Sequence, residues 1–414
     1  MQKNKKSICL YGREANNTEK NIPPKSLLEM FLANVRKNAD APAIIYDGVN
    51  NCSYAQTVMR ASVIAKALIN AGVKHGDKVA VSLPCGKEII CAVLGILWCG
   101  GVYVPINCSQ PLERRTGIYN QAQIKYCVTY SNSSAASITE CTNILADTLS
   151  DDIEELPQAY IASPDETAYI IFTSGSTGMP KGVEISHGAA WNTIADIIEK
   201  FDLKQQDVAL GVSALDFDLS VFDIFGMLSV GGAIAVLTDK TRREPSEWIK
   251  IINSAKVSVW NSVPALLEML LVSLEHGENL ESLRIVLISG DRIKPALYPL
   301  LKSHTDNCCF IALGGATEAS IWSNFYEVTE ISDDWNMIPY GKPLSNQWLR
   351  IISDGKDAAD NITGELWIGG AGLAKGYISA PELTEKAFVY ENGNRWYKTG
   401  DLGYYLSDGN IMFV

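Results

Sequence analysis

A loop rich in glycine and hydroxyl residues, followed by one lysine, is the strongest chemical signal in the chain; it lies within the stretch YIIFTSGSTGMPKGV at 169–183. Glycine accepts positive φ angles, which lets backbone N–H groups approach a ligand closely. The hydroxyls add donors and the lysine adds a positive charge, so the loop is suited to hold phosphate oxygens. The residues predicted to contact phosphate are Thr173, Ser174, Gly175, Ser176, Thr177, Gly178 and Lys181.

Two other interpretations of this loop explain its residues less well. A kinase-type P-loop starting at Gly175 would need a glycine where Pro180 stands, and a Ser or Thr magnesium ligand where Gly182 stands. A flexible surface loop would account for the glycines. It would not account for four hydroxyls and a lysine directly after an apolar run that reads as a strand.

The loop also matches the pattern T-S-G-S-T-G-x-P-K-G, the phosphate-binding signature of the adenylate-forming enzymes. That superfamily comprises acyl-CoA synthetases, luciferases and the adenylation domains of nonribosomal peptide synthetases. Four more segments resemble the family's motifs in the family's order, at 217–220, 315–318, 364–377 and 397–401. The resemblance extends from about residue 25 to the last residue, and the chain is identified as a member of this superfamily.

The resemblance implies a role for each polar residue of these motifs. Lys181 assists the loop electrostatically, and Thr317 binds the α-phosphate of ATP. Glu318 ligates Mg²⁺, because a hard cation that bridges phosphates needs a protein carboxylate nearby. Asp401 accepts hydrogen bonds from both ribose hydroxyls. The competing interpretations are a solvated loop acid for Glu318 and a turn or helix cap for Asp401.

The chain departs from the peptide synthetase pattern at one position. Those domains usually carry an aromatic residue before Gly-x-Thr-Glu, which stacks on adenine, whereas this chain has Gly314 there. Adenine is therefore expected to rest on another surface, such as the backbone around residues 289–291. Nucleotide contacts are predicted for Gly290, Gly314, Gly315 and Ala316. The variant resembles the cysteine-activating domains of thiazoline-forming siderophore synthetases, such as those for pyochelin and yersiniabactin.

Asp218 separates the branches of the superfamily. Amino-acid activators place an aspartate here to pair with the substrate ammonium, whereas fatty and aryl acids carry no ammonium, and a buried carboxylate without a cation is costly. The other interpretation is an aspartate that caps the following helix. Asp216 and Asp223 are expected to lie on the surface or at the helix start.

The other specificity positions follow by counting from the motifs, and they predict a mostly apolar pocket with two bulky aromatics, one amide and one hydroxyl. The absence of a charge other than Asp218 argues against Lys, Arg, Asp and Glu as substrates. The pattern resembles the cysteine-selecting set, and the predicted substrate is L-cysteine. These positions are Leu219, Phe222, Asn261, Leu287, Ser289, Leu313, Ile321 and Trp322.

Helical and strand-like patterns alternate along most of the chain. The helices and strands that they predict must position the site residues. The alternation predicts an α/β fold with two doubly wound, mostly parallel sheets and flanking helices. From about 335 to 414, short alternating strands and glycine-rich turns predict a small β-barrel. Residues 1–25 read as a flexible lead-in, and 26–414 as the large N-terminal subdomain of an adenylation domain, which opens with a helix capped by Ser26.

Composition excludes several classes of partner. The net charge of −12 argues against nucleic acid or an anionic membrane surface. Ten scattered cysteines lack the spacing of a zinc site or a redox dithiol, and indicate reduced thiols in a cytoplasmic protein. The first 25 residues carry no apolar signal segment, and the longest apolar run, 89–99, is too short to span a bilayer.

The resemblance further implies ATP and Mg²⁺ as cofactors and a carrier (thiolation) protein or domain as partner, beside a condensation or cyclization domain. The family continues with a small C-terminal subdomain bearing a lysine that contacts the substrate carboxylate and the α-phosphate. Val414 lies just before the hinge to it, so the chain is expected to lack that subdomain and to react slowly. Two other functions stay open, an acyl- or aryl-CoA ligase and a catalytically silent binding fragment.

Overall fold

The structure is a computed structural model that describes residues 13–133, 141–152, 155–173, 180–275 and 278–414. The helices are α1 Leu27–Lys37, α2 Tyr54–Asn70, α3 Lys87–Trp98, α4 Leu112–Ala122, α5 His187–Lys200, α6 Leu219–Val221, α7 Met227–Val230, α8 Pro245–Ala255, α9 Pro264–Val272, α10 Leu297–Lys302 and α11 Pro381–Ala387. A π-helical turn, Phe222–Gly226, joins α6 to α7.

The strands form three sheets. They are β1 Pro42–Tyr46, β2 Asn50–Ser53, β3 Lys78–Ser82, β4 Val102–Pro105, β5 Tyr126–Thr129, β6 Thr142–Leu145, β7 Thr167–Thr173, β8 Lys181–Ser186, β9 Val208–Gly211, β10 Ala233–Val236, β11 Val259–Ser262, β12 Ile285–Ile288, β13 Cys309–Gly314, β14 Asn324–Val328, β15 Lys342–Pro343, β16 Gln347–Ser353, β17 Lys356–Asp357, β18 Gly364–Gly370, β19 Gly376–Tyr377, β20 Phe388–Glu391, β21 Asn394–Tyr405 and β22 Ile411–Phe413.

Two sheets are mainly parallel. The nine-stranded sheet has the order β15-β14-β13-β12-β11-β9-β10-β1-β2, and the seven-stranded sheet has the order β19-β8-β7-β4-β3-β5-β6. Antiparallel strands lie only at their ends among the described pairings. The inner strands β10 and β12, with sequences AIAV and IVLI, are buried at every residue, as expected of strands covered on both faces. The predicted α/β fold with two such sheets is confirmed.

The third sheet is antiparallel and has the order β17-β16-β18-β21-β20, with β22 paired to β21. It occupies most of the region predicted as a small β-barrel. Two short strands of that region pair elsewhere, because β15 joins the nine-stranded sheet and β19 the seven-stranded one. The C-terminal region is therefore joined to both parallel sheets by backbone hydrogen bonds.

Residues 13–25 differ from the flexible lead-in expected there. The side chain of buried Asn16 donates to Leu349 O at 3.0 Å and accepts from Leu349 N at 2.9 Å, and Thr18 Oγ1 donates to Gln347 O at 2.7 Å. These bonds fix the segment along β16 although its composition is polar. Ser26 caps α1 as predicted, with its side chain accepting from Glu29 N.

Two composition-based expectations can be compared with the described residues. The nine cysteines among them are all free thiols. In the same ranges, no helix combines the length and the apolar character needed to cross a membrane.

Candidate active site

Asp218 and Thr317 are in direct contact. Asp218 lies between β9 and α6, and its Oδ2 accepts a hydrogen bond from Thr317 Oγ1 at 2.9 Å. The side chain makes no cap hydrogen bond to α6, so the helix-cap interpretation is not supported. Burial raises the pKa of Asp218 to about 6, against the lowering effect of the Thr317 hydrogen bond. The predicted ammonium partner and the predicted α-phosphate ligand thus meet at one point.

Glu318 connects this point to Asp401. It sits in the turn Thr317–Ala319 after β13, and its buried Oε1 accepts a hydrogen bond from Tyr377 Oη at 2.6 Å. Desolvation raises the pKa of Asp401, as it does for Asp218, and in both cases the negative charge of Glu318 raises it further. The Glu318 carboxylate therefore repels those of Asp218 and Asp401, and a cation bound near it would reduce this repulsion.

This carboxylate arrangement fits Mg²⁺ held by one protein ligand. In the part of the chain that the structure describes, no three His, Cys, Asp or Glu side chains group into a metal site. Mg²⁺ is commonly bound by one or two carboxylates together with substrate phosphates and water, rather than by an all-protein cage. Glu318, buried and next to a hydroxyl, has the donor chemistry for that single role.

Tyr377 was not predicted as a site residue. It lies on β19, where it pairs with Val183 of β8, and the Lys181 ammonium at the start of β8 is 5.7 Å from its ring centroid. Its hydroxyl contacts Glu318, so one side chain links the lysine to the carboxylate. Its position at the end of the 364–377 motif could have identified it as a site residue, but the glycines of that motif are also typical of tight turns.

Most of the predicted phosphate loop lies outside the described residues, namely Ser174, Gly175, Ser176, Thr177 and Gly178. Its two flanking residues are described. Thr173 on β7 and Lys181 on β8 are register partners, and Thr173 Oγ1 donates to Lys181 O at 3.5 Å.

A cavity of about 300 Å³ opens where the predicted nucleotide contacts converge. Gly290, Gly314, Gly315 and Asp401 all line it, as predicted contacts should. Ala316 does not line this cavity and instead packs, partly buried, against the core. Asp291, in the 289–291 segment predicted to support adenine, also lines the cavity. Among the other wall residues, which the sequence did not indicate, are Arg292, Ile293, Met337, Tyr340 and Phe413.

The predicted specificity residues are all buried and form one connected group. The Phe222 and Trp322 rings lie 4.9 Å apart, and Trp322 Nε1 donates to Ser289 Oγ at 2.8 Å. Ile321, a β-branched residue, adopts a φ of 71°, an unusual strain that often marks functional positions. The register partners Asn261 and Leu287, together with Leu219 and Leu313, complete the group.

Asp223 is corrected, because it is neither on the surface nor at a helix start. It is 2% exposed, lies in the π-helical turn, and its Oδ1 accepts from Asn261 Nδ2 at 2.8 Å. Burial raises the pKa of Asp223 to about 8. The turn is covered on both faces, so the residue after Phe222 points inward at the specificity amide. Asp216 is half-buried and accepts from Gln110 Nε2 at 2.9 Å.

Known proteins match this chain over almost its whole length. The "Anguibactin system regulator" of Vibrio anguillarum is 42% identical over 397 residues, which are 94% of this chain and 38% of that protein. Pyochelin synthetase PchE of Pseudomonas aeruginosa is 40% identical over 395 residues, or 94% of this chain and 27% of the synthetase. Phenyloxazoline synthase MbtB of Mycobacterium tuberculosis is 39% identical over 397 residues, which are 94% of this chain and 28% of the synthase. The chain thus spans less than two-fifths of these curated relatives.

Solved structures show the same architecture. The nonribosomal peptide synthetase FmoA3 in its AMPPNP-bound form has a TM-score of 0.90 and 34% identity, covering 97% of this chain and 44% of that chain. The form of FmoA3 with α-methyl-L-serine-AMP bound has a TM-score of 0.89 and 33% identity. The match covers 97% of this chain and 46% of that chain. The AMP-binding enzyme family matches residues 31–378. The chain therefore belongs to the AMP-binding enzyme family, as an adenylation domain of the nonribosomal peptide synthetase type.

Proposed function

We propose that the chain activates L-cysteine with ATP, forming cysteinyl-adenylate and pyrophosphate. The observation that carries the proposal is the buried contact between Asp218 and Thr317, with Glu318 adjacent. It joins a site for a substrate ammonium to a site for phosphate. In the reaction an oxygen of the substrate carboxylate attacks the α-phosphorus of ATP, and the bond from that phosphorus to the leaving pyrophosphate breaks.

The contribution of the chain is positioning and charge compensation, the main terms in phosphoryl-type transfer. Asp218 fixes the ammonium, which places the carboxylate one carbon away, toward Thr317. The Thr317 hydroxyl and the Lys181 ammonium contact the phosphates, and Asp401 accepts from the ribose hydroxyls. Glu318 would hold Mg²⁺, which, when bound, offsets negative charge on the phosphate oxygens.

Cysteine is favoured by the chemistry of the specificity residues. Apolar and aromatic side chains surround one hydroxyl and one amide. The Ser289 hydroxyl accepts from Trp322 Nε1. Asn261 Nδ2 donates to Asp223 Oδ1 and Leu219 O, which leaves Asn261 Oδ1 as a buried acceptor that the weak S–H donor of a thiol could meet. A thiol needs hydrogen bonds less than an alcohol does, so it loses less than a serine hydroxyl on entering such a site. The names of PchE and MbtB as heterocycle- or siderophore-forming synthetases support an amino acid with a nucleophilic β-atom.

The longer relatives support a proposal for the fate of the adenylate. We infer transfer of the cysteinyl group to the phosphopantetheine thiol of a carrier protein or domain, next to a condensation or cyclization domain. FmoA3 supports the small-substrate assignment, because its structure contains α-methyl-L-serine-AMP. Serine is therefore the most informative competitor of cysteine.

The test is a binding and exchange panel on the full chain with Mg-ATP. Cysteine is compared with serine and valine, and with 3-mercaptopropionate, which keeps the thiol and carboxylate but lacks the ammonium. We expect cysteine to bind best and 3-mercaptopropionate not to bind. Equal use of 3-mercaptopropionate would favour an acyl-CoA ligase, and preference for valine would overturn the cysteine assignment alone.

Asp218→Ala provides the matching variant. It should weaken cysteine binding by about 3–5 kcal/mol, as for breaking a buried ion pair, and leave ATP affinity nearly unchanged. Asp216→Ala is the control, since it removes a half-buried aspartate two positions away that contacts Gln110 instead. Unchanged cysteine affinity in Asp218→Ala, measured by calorimetry, would contradict the amino-acid assignment.

A further inference from the structure

We propose that Tyr340 is the aromatic wall of the adenine site, in the space that a side chain at position 314 would otherwise fill. The inference rests on the proposed function, since it assumes that the cavity of about 300 Å³ holds the nucleotide of ATP. It assigns a binding role to a residue outside every motif that carried the sequence resemblance.

The geometry around Gly314 is the first support. A Cβ added to Gly314 would lie 2.8 Å from Tyr340 Cδ2 and closer still to Tyr340 Cε2. Contacts this short are not seen for real Cβ atoms, so any larger residue at 314 must displace the ring. The two positions therefore compete for one volume, and in this chain the tyrosine from the following loop occupies it.

The loop that carries Tyr340 is fixed from three directions. Tyr340 N donates to Ile411 O at 2.8 Å, and Asn324 Nδ2 donates to Tyr340 O. Asn324 is the register partner of Gly314 across β13 and β14, so the same strand pair sets both positions. The Phe413 ring packs against the Tyr340 ring, with centroids 4.4 Å apart and an interplanar angle of 53°. A ring held in this way is preorganised for stacking.

The rest of the cavity has the chemistry of a nucleoside site. Gly290 and Gly315 expose backbone along the cavity, and the Tyr340 ring forms another part of its wall, in the volume beside Gly314. Asp401, the predicted ribose ligand, lines the same cavity and acts electrostatically on Tyr340. In the proposed arrangement the purine packs its face on the Tyr340 ring, and its ribose lies at the Asp401 carboxylate. Stacking of a base on an aromatic ring changes affinity by about tenfold or more.

The main test measures ATP affinity by calorimetry in the full chain with Tyr340→Leu and Tyr340→Phe. Leucine keeps most of the apolar volume but removes the aromatic face, and phenylalanine keeps the face but removes the hydroxyl. We expect about a tenfold loss for leucine and little change for phenylalanine, with inorganic tripolyphosphate affinity unchanged in both. A wild-type ATP affinity in Tyr340→Leu would overturn the inference.

A spectroscopic readout separates stacking from general damage to the fold. The fluorescence of 2-aminopurine riboside triphosphate should be quenched on binding to the wild type and to Tyr340→Phe, but not on saturation of Tyr340→Leu. Equal quenching in all three would overturn the role of Tyr340. If the wild type binds neither ATP nor this analogue, the proposed function fails as well, whereas failure of the Tyr340 variants alone leaves it standing.

A double-mutant cycle tests the shared volume directly. Gly314→Tyr should weaken ATP binding, because its ring cannot fit beside Tyr340. Combined with Tyr340→Ala, the new tyrosine gains that space, so the double variant should bind ATP more tightly than either single variant. Independent, additive effects of the two substitutions would show that the positions do not compete and would contradict the inference.

Discussion

At the residue scale, the ammonium-pairing role proposed for Asp218 predicts that substrate binding depends on pH. The pKa of Asp218, about 6 in the unliganded site, means that the carboxyl group must lose a proton before it can pair with an ammonium. Cysteine affinity should therefore be nearly constant between pH 7 and 8, below the pKa of its own thiol, and fall by up to tenfold per pH unit below 6. Calorimetry between pH 5 and 8 measures this, and ATP affinity titrated in parallel is the control. A flat cysteine profile down to pH 5 would contradict the ion-pair role.

Asp223 should make the free energy of unfolding depend on pH. Burial raises its folded-state pKa to about 8, well above the usual value for an aspartate, so the folded state holds the proton more tightly than the unfolded state does. The stabilisation of the folded state by protonated Asp223 is then fully present below pH 4. It is lost as the pH rises to 8, so the free energy of unfolding falls by about 1.4 kcal/mol per pH unit within that window. Asp223→Asn should remove this decline, as measured by urea unfolding between pH 5 and 8.

The comparison for Asp223 is Asp216→Asn, which should keep the wild-type pH slope. Identical slopes in both variants and the wild type would mean that Asp223 titrates normally in the folded protein. Cysteine selectivity over serine should also fall in Asp223→Asn if the carboxyl group orients the Asn261 amide.

The site residues found from sequence are those that belong to contiguous motifs. Asp218, Thr317 and Glu318 follow strands and Asp401 lies within β21, and the negative charge of Glu318 acts on both Asp218 and Asp401. Tyr340 and Asp223 could not be found in this way. Tyr340 reaches the site through a loop contact with another strand, and Asp223 is buried because its helix is covered on both faces, a property that local sequence does not encode.

At the scale of elements, the pairing of β19 with β8 brings Tyr377 to Lys181. A Cβ on Gly182 would lie 2.6 Å from both Ile378 Cγ2 and Phe172 Cζ, so Gly182→Ala should push β19 away. We expect a loss of about 1–3 kcal/mol in the free energy of unfolding, as for overpacking, and weaker binding of Mg-ATP.

Gly117→Ala is the matched control for this substitution. Gly117 lies within α4, and an added Cβ there meets nothing within 4 Å. Alanine should stabilise that helix by up to about 1 kcal/mol and leave Mg-ATP binding intact. If both alanines have the same effect on stability in urea and on calorimetric affinity, the β19 contact does not position Tyr377.

Alternation of helix and strand patterns predicted the existence of the two parallel sheets but not which strands share a sheet. β1 and β2 pair into the nine-stranded sheet, the next six strands supply all of the seven-stranded one except β19, and the chain then returns with β9. Local patterns cannot reveal this exchange, because inner strands of both sheets are similarly short and buried. The short strands β15 and β19 were missed because two residues give no period.

At the scale of the whole molecule, the segment before α1 ties the N-terminal region to the third sheet. Asn16→Ala removes both of its hydrogen bonds with Leu349. Leu349 O keeps its hydrogen bond from Tyr405 Oη, but the buried Leu349 N–H loses its Asn16 acceptor, at a cost of about 1–3 kcal/mol. Its neighbour Asn17 is exposed, so Asn17→Ala should be neutral. Urea unfolding compares the two. Equal midpoints would show that residues 13–25 form the flexible lead-in predicted from composition.

The hydrogen bonds between Asn16 and Leu349 also affect how the chain folds during its synthesis. Asn16 and Leu349 are 333 residues apart, and β1 completes its sheet only with β10. During synthesis on the ribosome, β1 can pair with β2 early, but its other edge and the segment before it have no partner until β10 and β16 emerge. Long-range parallel pairing is slow and exposes strand edges, so the nascent chain should depend on chaperones until β16 has left the exit tunnel.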